Sequence, residues 1–181
     1  MNQFDRIKTN RLFLRTLDIQ DKEVFYRYRS MAEVYKYQSW CPKDIGEVEK
    51  FIEENRKICP NTRNTWLQLA ICLQDGQLIG DMGIHFIEDN YQAEIGYTLS
   101  PAFQGKGYAI EAVKAILDYL FSKLKKHRIT ASVDPDNIKS IRLLENVGFR
   151  KEAHFIKSFH MNDQWYDDCI YAILTEEWVN S

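Results

Sequence analysis

The sequence lacks the features that mark secreted, zinc-binding and membrane-spanning proteins. Its four cysteines show neither CxxC spacing nor the density of a disulfide-rich domain, so we expect reduced thiols and no metal site. No apolar run approaches the roughly 20 residues that cross a bilayer. The N-terminal stretch is interrupted by Asp5, Arg6 and Lys8 and has no signal-peptide core. These absences predict a cytoplasmic protein that does not bind membranes.

The charge balance argues against nucleic acid as a partner. The formal net charge is −2 and the isoelectric point is near 6.1, which gives no basic footprint. The one dense basic cluster, from Lys123 to Arg128, follows a predicted helix, where cations complement the helix dipole. With 181 residues and 45% hydrophobic content, the chain can bury a proper core, and we predict a single domain over residues 1–181.

Hydrophobic patterning predicts a mixture of strands and helices. Strands are expected at Arg11 to Arg15, Trp66 to Leu73, Leu78 to Phe86, Gln92 to Leu99, His127 to Val133, Phe149 to His160 and Trp165 to Leu174. Helices are expected after the N-cap candidates Asp18, Asp44 and Asn137, and over Ile110 to Leu124. Val24, Phe25 and Tyr28 should face the core from the first helix. The order β-α-α-β-β-β-α-β-α-β-β indicates an α/β protein with a mixed sheet.

Punctuating residues predict where these elements end. Pro60 with Asn61 should stop the second helix, which carries apolar residues as far as Ile58, and Gly148 should end the helix that Asn137 begins. Turns are expected at Gln74 to Gln77, which contains an Asp-Gly pair, and at Met161 to Gln164, which closes the terminal hairpin.

The segment between the strand at Leu99 and the helix at Ile110 is the strongest functional signal. It reads Gln104-Gly105-Lys106-Gly107-Tyr108-Ala109. Its glycines let the backbone turn sharply and approach an anion, and the following helix points unpaired N–H groups at that anion. It is neither a P-loop nor a dinucleotide fingerprint, because no Gly-Lys-Ser/Thr and no third spaced glycine follow. Either a simple strand-to-helix turn or a site for a nucleotide-bearing cofactor other than ATP or NAD would explain it.

Two motifs in this order resemble those of the GNAT acetyltransferases. The loop resembles the pyrophosphate motif Gln/Arg-x-x-Gly-x-Gly/Ala through Gln104, Gly107 and Ala109. Asn137-x-x-Ser140 with Leu143, Glu145, Gly148 and Phe149 resembles the next motif of that family. The chain is similar to the RimJ/RimL-type branch at Thr9-x-Arg11-Leu12-x-Leu14-Arg15, Glu94-Ile95-Gly96-Tyr97, Tyr171 and Glu177-Trp178.

The resemblance implies a fold, a cosubstrate and a binding site. The fold would be a mixed, mostly antiparallel sheet of about seven strands flanked by four helices, in which two parallel strands splay apart to hold acetyl-CoA. Backbone groups of Tyr97 and Leu99 would pair with the pantetheine arm. The remaining cofactor-binding residues would be Gln104, Gly105, Lys106, Gly107, Tyr108, Ala109 and Asn137. The sequence does not decide between a monomer and a homodimer.

Acetyl transfer to an amine requires a neutral amine and a stabilised leaving thiolate. Glu94 is the candidate base, directly or through a water, with His85 in reserve, and Ser140 is the candidate proton donor that the resemblance implies. Many family members carry a tyrosine as general acid where this chain has Leu144, which cannot donate a proton. Each candidate has an ordinary alternative. Glu94 would then be a solvated strand residue, and Ser140 a polar residue in the first turn of a helix.

The resemblance implies an acceptor that is a primary amine. Relatives build the acceptor site from the region of Tyr35, Tyr37 and Trp40, and these rings, with Tyr26, Tyr28 and Trp66, form either core packing or aromatic walls for a cationic amine. A protein N-terminal α-amine is favoured, because its ordinary pKa of ~7.7–8.0 lies below the ~10.4 of lysine. The alternatives are a small amine such as a polyamine or aminoglycoside, and a non-catalytic module that binds acyl-CoA.

Overall fold

The computed structural model describes residues 4–161 and 163–179. Within them the chain forms one sheet of eight strands in the order β1-β2-β3-β4-β5-β6-β8-β7. The strands are β1 Ile7–Lys8, β2 Leu12–Thr16, β3 Thr65–Leu73, β4 Leu78–Phe86, β5 Gln92–Leu99, β6 Arg128–Val133, β7 Arg150–Met161 and β8 Gln164–Leu174. The seven predicted strands are confirmed, and the two-residue β1 is an addition that periodicity could not reveal.

Capping residues predicted from the sequence mark several helix ends. They are α1 Lys22–Arg29, α2 Ala32–Tyr35, α3 Ile45–Asn55, α4 Tyr108–Asp118, α5 Ile138–Val147 and α6 Thr175–Val179. Asp44 caps α3 by accepting the N–H of Glu47, and Gly148 ends α5 with a φ of 106°. Asp18 caps a 3₁₀ turn, Ile19–Asp21, that leads directly into α1. The short helices α2 and α6 lack a sustained apolar period, and the sequence did not predict them.

Two local expectations were wrong. Val24 is exposed, because the buried stripe of α1 runs through Phe25, Tyr28 and Arg29 and Val24 lies at its edge. The second helix ends at Asn55, before Ile58 and Pro60. The helix expected over Ile110 to Leu124 is confirmed, and the one unpredicted detail is its change to π-helical winding at Tyr119–Lys123. The predicted turn at Met161 to Gln164 includes Asn162, which lies outside the described residues.

The sheet separates two hydrophobic clusters. On one face, α4 and α5 cover the larger cluster, with Val113, Ile116 and Leu144 among its buried members. On the other face, α1 and α3 cover a smaller cluster around Phe25 and Ile52. Among the described residues, no helix is both long and apolar enough to cross a membrane.

The sheet is antiparallel except where β5 meets β6. Their parallel pairing runs from Gln92 opposite Arg128 to Glu94 opposite Thr130 and stops there, although both strands continue. On its other side, β5 stays paired with β4 as far as Leu99. The two strands therefore separate beyond Glu94 and leave a V-shaped opening between them, as the sequence resemblance implies.

Candidate active site

The broken ladder leaves main-chain groups of β5 turned toward the V. In an antiparallel pair, the N–H and C=O of one residue point to the same neighbour. Ser100 donates its N–H to the carbonyl of Ile79 at 2.9 Å, so alternate residues of β5, namely Ile95, Tyr97 and Leu99, turn their groups toward β6. The side-chain amide of Gln104 donates to the carbonyl of Leu99 at 3.1 Å. The strand is thus able to add hydrogen bonds to an extended molecule lying in the V.

The glycine loop joins the end of β5 to the start of α4. Gly105 and Gly107 have φ values of 74° and 78°, in the left-handed region that favours glycine. A Cβ added at Gly105 would meet nothing within 4 Å, so space is open above the loop. Tyr108 and Ala109 form the first turn of the 11-residue α4, whose leading N–H groups lack acceptors within the helix. These residues fit an anionic group at the positive end of the helix dipole.

Basic side chains surround this loop. Lys106 donates its ammonium to the carbonyl of Ala102 at 2.8 Å, which holds that charge at the loop. Lys139 on α5 lies 3.5 Å from Oε1 of Gln104 and brings a second ammonium that sequence reasoning missed. Arg11 donates from Nη1 to the carbonyl of Lys106 at 2.9 Å, and its guanidinium lies 4.6 Å from the ring centre of Tyr108. Arg11 was noticed in the sequence only as part of a motif match, without a role.

Ser140 lies in the first turn of α5, opposite Tyr97. Asn137 caps this helix by accepting the N–H of Ser140 at 3.3 Å. The Tyr97 hydroxyl lies 2.7 Å from Oγ of Ser140 and 3.3 Å from its carbonyl oxygen. Burial raises the pKa of Tyr97 to about 12, against the opposing effect of its hydrogen bond with Ser140. Leu144 is fully buried in the core, so it replaces the family's tyrosine with packing alone.

Glu94 belongs to a row of side chains that crosses three strands. Trp66 on β3 pairs with His85 on β4, and His85 pairs with Glu94 on β5, so all three side chains share one face. The His85 ring stacks on Trp66 at 4.8 Å between ring centres, and its Nδ1 lies 3.8 Å from Oε2 of Glu94. Burial raises the pKa of Glu94, nearby Asp168 adds to the rise, and the charge of His85 opposes it.

One cavity of about 580 Å³ connects these groups. Glu94 and Tyr97 extend from opposite faces of β5 because side chains alternate along a strand, yet both line this cavity. The cavity therefore passes between β5 and β6. Ser140 and Asn137 also line it, whereas Leu99 and the loop residues Gln104 to Ala109 lie beyond its wall, at the mouth of α4.

The predicted aromatic cluster divides between core and cavity. Tyr28 is buried, and Tyr26 and Trp40 pack against the smaller cluster. Tyr37, Trp40 and Trp66 line the cavity, while Tyr35 is exposed and does not. The cavity is completed by side chains that sequence reasoning missed, from the terminal hairpin and the strand ends: Phe159, Met161, Tyr166, Asp167, Asp168, Ser132 and Asp134. Their positions depend on how β6, β7 and β8 pair, which local patterns do not encode.

Comparison with known proteins agrees with this geometry. Residues 11–150 match the family described as "Acetyltransferase (GNAT) domain". The uncharacterized N-acetyltransferase YnaD of Bacillus subtilis is 35% identical over 95% of this chain and 98% of its own length. A crystal structure of a GNAT-family acetyltransferase from Bacillus anthracis superposes with a TM-score of 0.87 at 32% identity, covering 96% of this chain and 100% of that one.

Other relatives carry acceptors in their names. The putative ribosomal N-acetyltransferase YdaF of Bacillus subtilis is 31% identical over 67% of this chain and 69% of its own. The spermidine N(1)-acetyltransferase of Vibrio cholerae is 29% identical over 94% of this chain and 97% of its own. A crystal structure of the Vibrio cholerae spermidine N-acetyltransferase with CoA and spermine has a TM-score of 0.81 at 25% identity, covering 95% of this chain and 100% of that one. The chain belongs to the GNAT family, in its RimJ/RimL-like branch, and is an acetyl-CoA-dependent N-acetyltransferase.

Proposed function

We propose that acetyl-CoA lies in the V between β5 and β6, with its pyrophosphate on the glycine loop. Three features support this arrangement: the main-chain edge of Tyr97 and Leu99 that β6 leaves unpaired, the left-handed glycines, and the ammonium groups of Lys106 and Lys139. The thioester would then reach the cavity between Glu94 and Ser140. The observation that carries the proposal is that this one cavity is lined from both faces of β5.

In this arrangement Glu94 and Ser140 act on different atoms. Glu94 accepts a proton from the acceptor ammonium, directly or through a water, so that the neutral amine can attack the thioester, and its raised pKa makes the carboxylate a stronger base. Ser140 donates a hydrogen bond to the sulfur as the C–S bond breaks. Because a thiolate is a weak base, most of the rate gain comes from holding the two reactants together.

The acceptor that we favour is the N-terminal α-amine of a protein. Lys36, Gln38 and Ser39 line the cavity with N–H and O–H groups that can donate to peptide carbonyls, whereas a polyamine has no acceptors for them. The lower ordinary pKa of an α-amine also asks less of a single carboxylate base. Tyr37 and Trp66 would flank the first side chains of the peptide.

A small polyamine is the second candidate, and the carboxylates of the same cavity favour it. Asp134, Asp167 and Asp168 line the wall together with Glu94. Both oxygens of Asp167 are already engaged, by His154 and by the N–H of Lys157. Oδ1 of Asp168 accepts the hydroxyl of Ser132, and Oδ1 of Asp134 accepts the N–H of Asp136, so the Oδ2 atoms of both carboxylates can face a second ammonium group.

A thiol-release assay decides between the two acceptors. The purified chain would be given acetyl-CoA with short peptides bearing free N-termini, with the same peptides blocked by N-terminal formylation, and with spermidine. Saturable CoA release with the free peptides alone supports the first proposal. CoA release with spermidine alone would replace the N-terminal acceptor with the polyamine. If none of the amines caused CoA release, both proposals would be overturned.

A further inference from the structure

The Tyr97–Ser140 contact joins β5 to the first turn of α5, and both hydroxyl residues line the cavity into which the thioester is proposed to reach. Tyr97 extends from β5, and Ser140 belongs to α5, which packs with α4 on the same side of the sheet. Their hydroxyl oxygens are 2.7 Å apart, the usual length of an O–H···O hydrogen bond. The sequence predicts only a main-chain role for Tyr97, toward pantetheine, and gives its hydroxyl no function.

Each of the two hydroxyls carries one proton, and this number limits what the pair can do. If Ser140 donated to Tyr97, its one proton would be held by the phenol oxygen and would not be available to a leaving sulfur. The Tyr97 proton has two acceptors on Ser140, Oγ at 2.7 Å and the carbonyl oxygen at 3.3 Å, and the shorter contact is the one to Oγ. If Tyr97 donates to Oγ of Ser140, the serine proton is free to turn toward the cavity that both residues line. Burial keeps Tyr97 protonated by raising its pKa, so the phenol remains a donor throughout the neutral range.

We infer that Tyr97 is a positioning residue, which donates a hydrogen bond to Oγ of Ser140 and thereby directs the serine proton at the sulfur of the departing CoA. The inference rests on the proposed function. The amine nitrogen forms the C–N bond, the C–S bond breaks, and sulfur leaves with the electron pair as a thiolate held by the serine O–H. Glu94 takes one proton from the acceptor ammonium before the attack and a second from the same nitrogen once the C–N bond has formed, and it passes both to solvent, so neither hydroxyl loses its proton. Tyr97 and Ser140 would together replace the tyrosine that Leu144 displaces.

The test is Tyr97→Phe, which removes the hydroxyl and keeps the ring. We expect kcat to fall about tenfold, the ordinary effect of losing one hydrogen bond to a charged group, while KM for acetyl-CoA changes by less than about twofold. Ser140→Ala should lower kcat by a similar factor. The double variant should be little worse than either single one, because the two residues act as one unit.

Tyr171→Phe is the matched control. Tyr171 also donates a hydrogen bond to α5, from its hydroxyl to Glu145 at 3.4 Å. Glu145 lies more than one helical turn beyond Ser140. It therefore reports any general loosening of the helix without touching the serine. Unchanged kcat in Tyr97→Phe, an equal loss in Tyr171→Phe, or fully multiplicative losses in the double variant would each overturn the inference.

A second readout needs no acceptor and separates this inference from the proposed function. Bound CoA would be titrated through the ultraviolet absorbance of its thiolate, in the wild type, Tyr97→Phe and Ser140→Ala. A serine O–H aimed at sulfur stabilises the thiolate, so both variants should raise the midpoint by about one pH unit. Equal midpoints would refute the positioning role even in an active enzyme. The wild type could bind CoA, lower the midpoint of thiolate formation relative to the two variants, and still acetylate none of the amines. That result would refute the proposed acceptors and leave the positioning role intact.

Discussion

Glu111 holds Arg11 at two points, although the two residues are 100 positions apart in the chain. Oε1 of Glu111 accepts the main-chain N–H of Arg11 at 2.7 Å, and Oε2 accepts Nε at 2.6 Å. Oε1 also accepts the hydroxyl of Thr9 at 2.6 Å. Since Arg11 donates onward to the carbonyl of Lys106, one carboxylate of α4 ties the segment before β2 to the glycine loop.

Replacing Glu111 with Gln should weaken this tie and change how stability depends on pH. Burial raises the pKa of Glu111, but the hydrogen bonds from Thr9 and Arg11 outweigh it and hold the pKa below its ordinary value. A lowered pKa in the folded state stabilises the fold above the ordinary value near 4.5 and stops doing so as pH falls through the folded value. We expect Glu111→Gln to lower the free energy of unfolding by about 1–2 kcal/mol at pH 7, since Arg11 is partly exposed.

Urea unfolding at several pH values checks this expectation. The difference in the free energy of unfolding between wild type and Glu111→Gln should shrink as the pH is lowered below the ordinary pKa of a glutamate carboxyl. Glu54→Gln is the control, because Glu54 pairs with Lys50 on the exposed side of α3 at 4.0 Å, where ion pairs contribute ~0.3–0.5 kcal/mol. A gap that is equal for the two variants, or constant with pH, would contradict the role given to Glu111.

The glycine loop allows a matched pair of variants. Gly105 and Gly76 both have positive φ, and at both positions an added Cβ meets nothing within 4 Å. Gly105→Ala and Gly76→Ala should therefore carry the same backbone penalty of about 1–2 kcal/mol. Gly105→Ala alone should weaken acetyl-CoA binding, by at least about tenfold, because its methyl group occupies the space that an approaching pyrophosphate needs. The dissociation constants for acetyl-CoA would be measured by calorimetry. Equal values for both variants would show that the pyrophosphate does not bind at this loop.

The same glycines show how far the sequence alone can lead. The loop, the strand Gln92–Leu99 and the caps at Asp44 and Asn137 were all predicted, because each depends on neighbours within a few residues. Val24 was placed wrongly because the buried stripe of α1 includes Arg29, which pairs with Asp81 52 positions away, a contact that no hydrophobic period reports.

The candidate site was predicted less completely than the fold. Glu94, Tyr97, Asn137 and Ser140 do come together at one cavity. However, the hydrogen bond between Tyr97 and Ser140 spans 43 positions, and it forms only because β5 and α5 meet on the same face of the sheet. The stacked row that ends at Glu94 likewise depends on strand register, which the residues of one strand do not specify.

His85→Phe should change the ionisation of Glu94 without removing the stack on Trp66. The phenyl ring can keep the contact that the imidazole makes with the indole, but the charge that opposes the rise in the pKa of Glu94 is lost. We therefore expect the pKa of Glu94 to rise further above its ordinary value. Because a base must be ionised to act, the acid limb of kcat/KM should move to higher pH.

The titration can be followed directly from the carboxyl ¹³C resonance of Glu94, identified by its loss in Glu94→Gln. That variant should also lower kcat by ~10²–10⁴-fold, the range of a general base. Asp75→Asn, in the turn at the far end of β3 and β4, is a carboxylate control that should leave both measurements unchanged. An acid limb that stays in place in His85→Phe, or a kcat insensitive to Glu94→Gln, would remove Glu94 from catalysis.

A buried ion pair under the acceptor cavity should be the most sensitive point of the fold. Asp81 is fully buried and accepts hydrogen bonds from Tyr28, at 2.6 Å, and from Arg29 and Gln68. Arg29 and Gln68 also line the cavity, so this carboxylate fixes part of the cavity wall. Asp81→Asn would place an amide donor among three donors and leave Arg29 charged without a counter-charge. We expect a loss of about 3–5 kcal/mol in the free energy of unfolding and a higher KM for the acceptor.

The double variant Arg29→Met with Asp81→Leu separates charge from packing. Apolar residues in place of a buried ion pair are often neutral or stabilising, but Asp81→Leu also leaves the donors of Tyr28 and Gln68 without this acceptor, so the variant should recover only part of the stability that Asp81→Asn loses. It should not recover the acceptor KM, because Arg29 would no longer hold Gln38, which it contacts through Nη1 at 3.1 Å. Urea unfolding and acceptor kinetics on the three proteins test both parts. If stability and KM recovered together, the pair would serve packing alone, and the cavity wall would not depend on its charges.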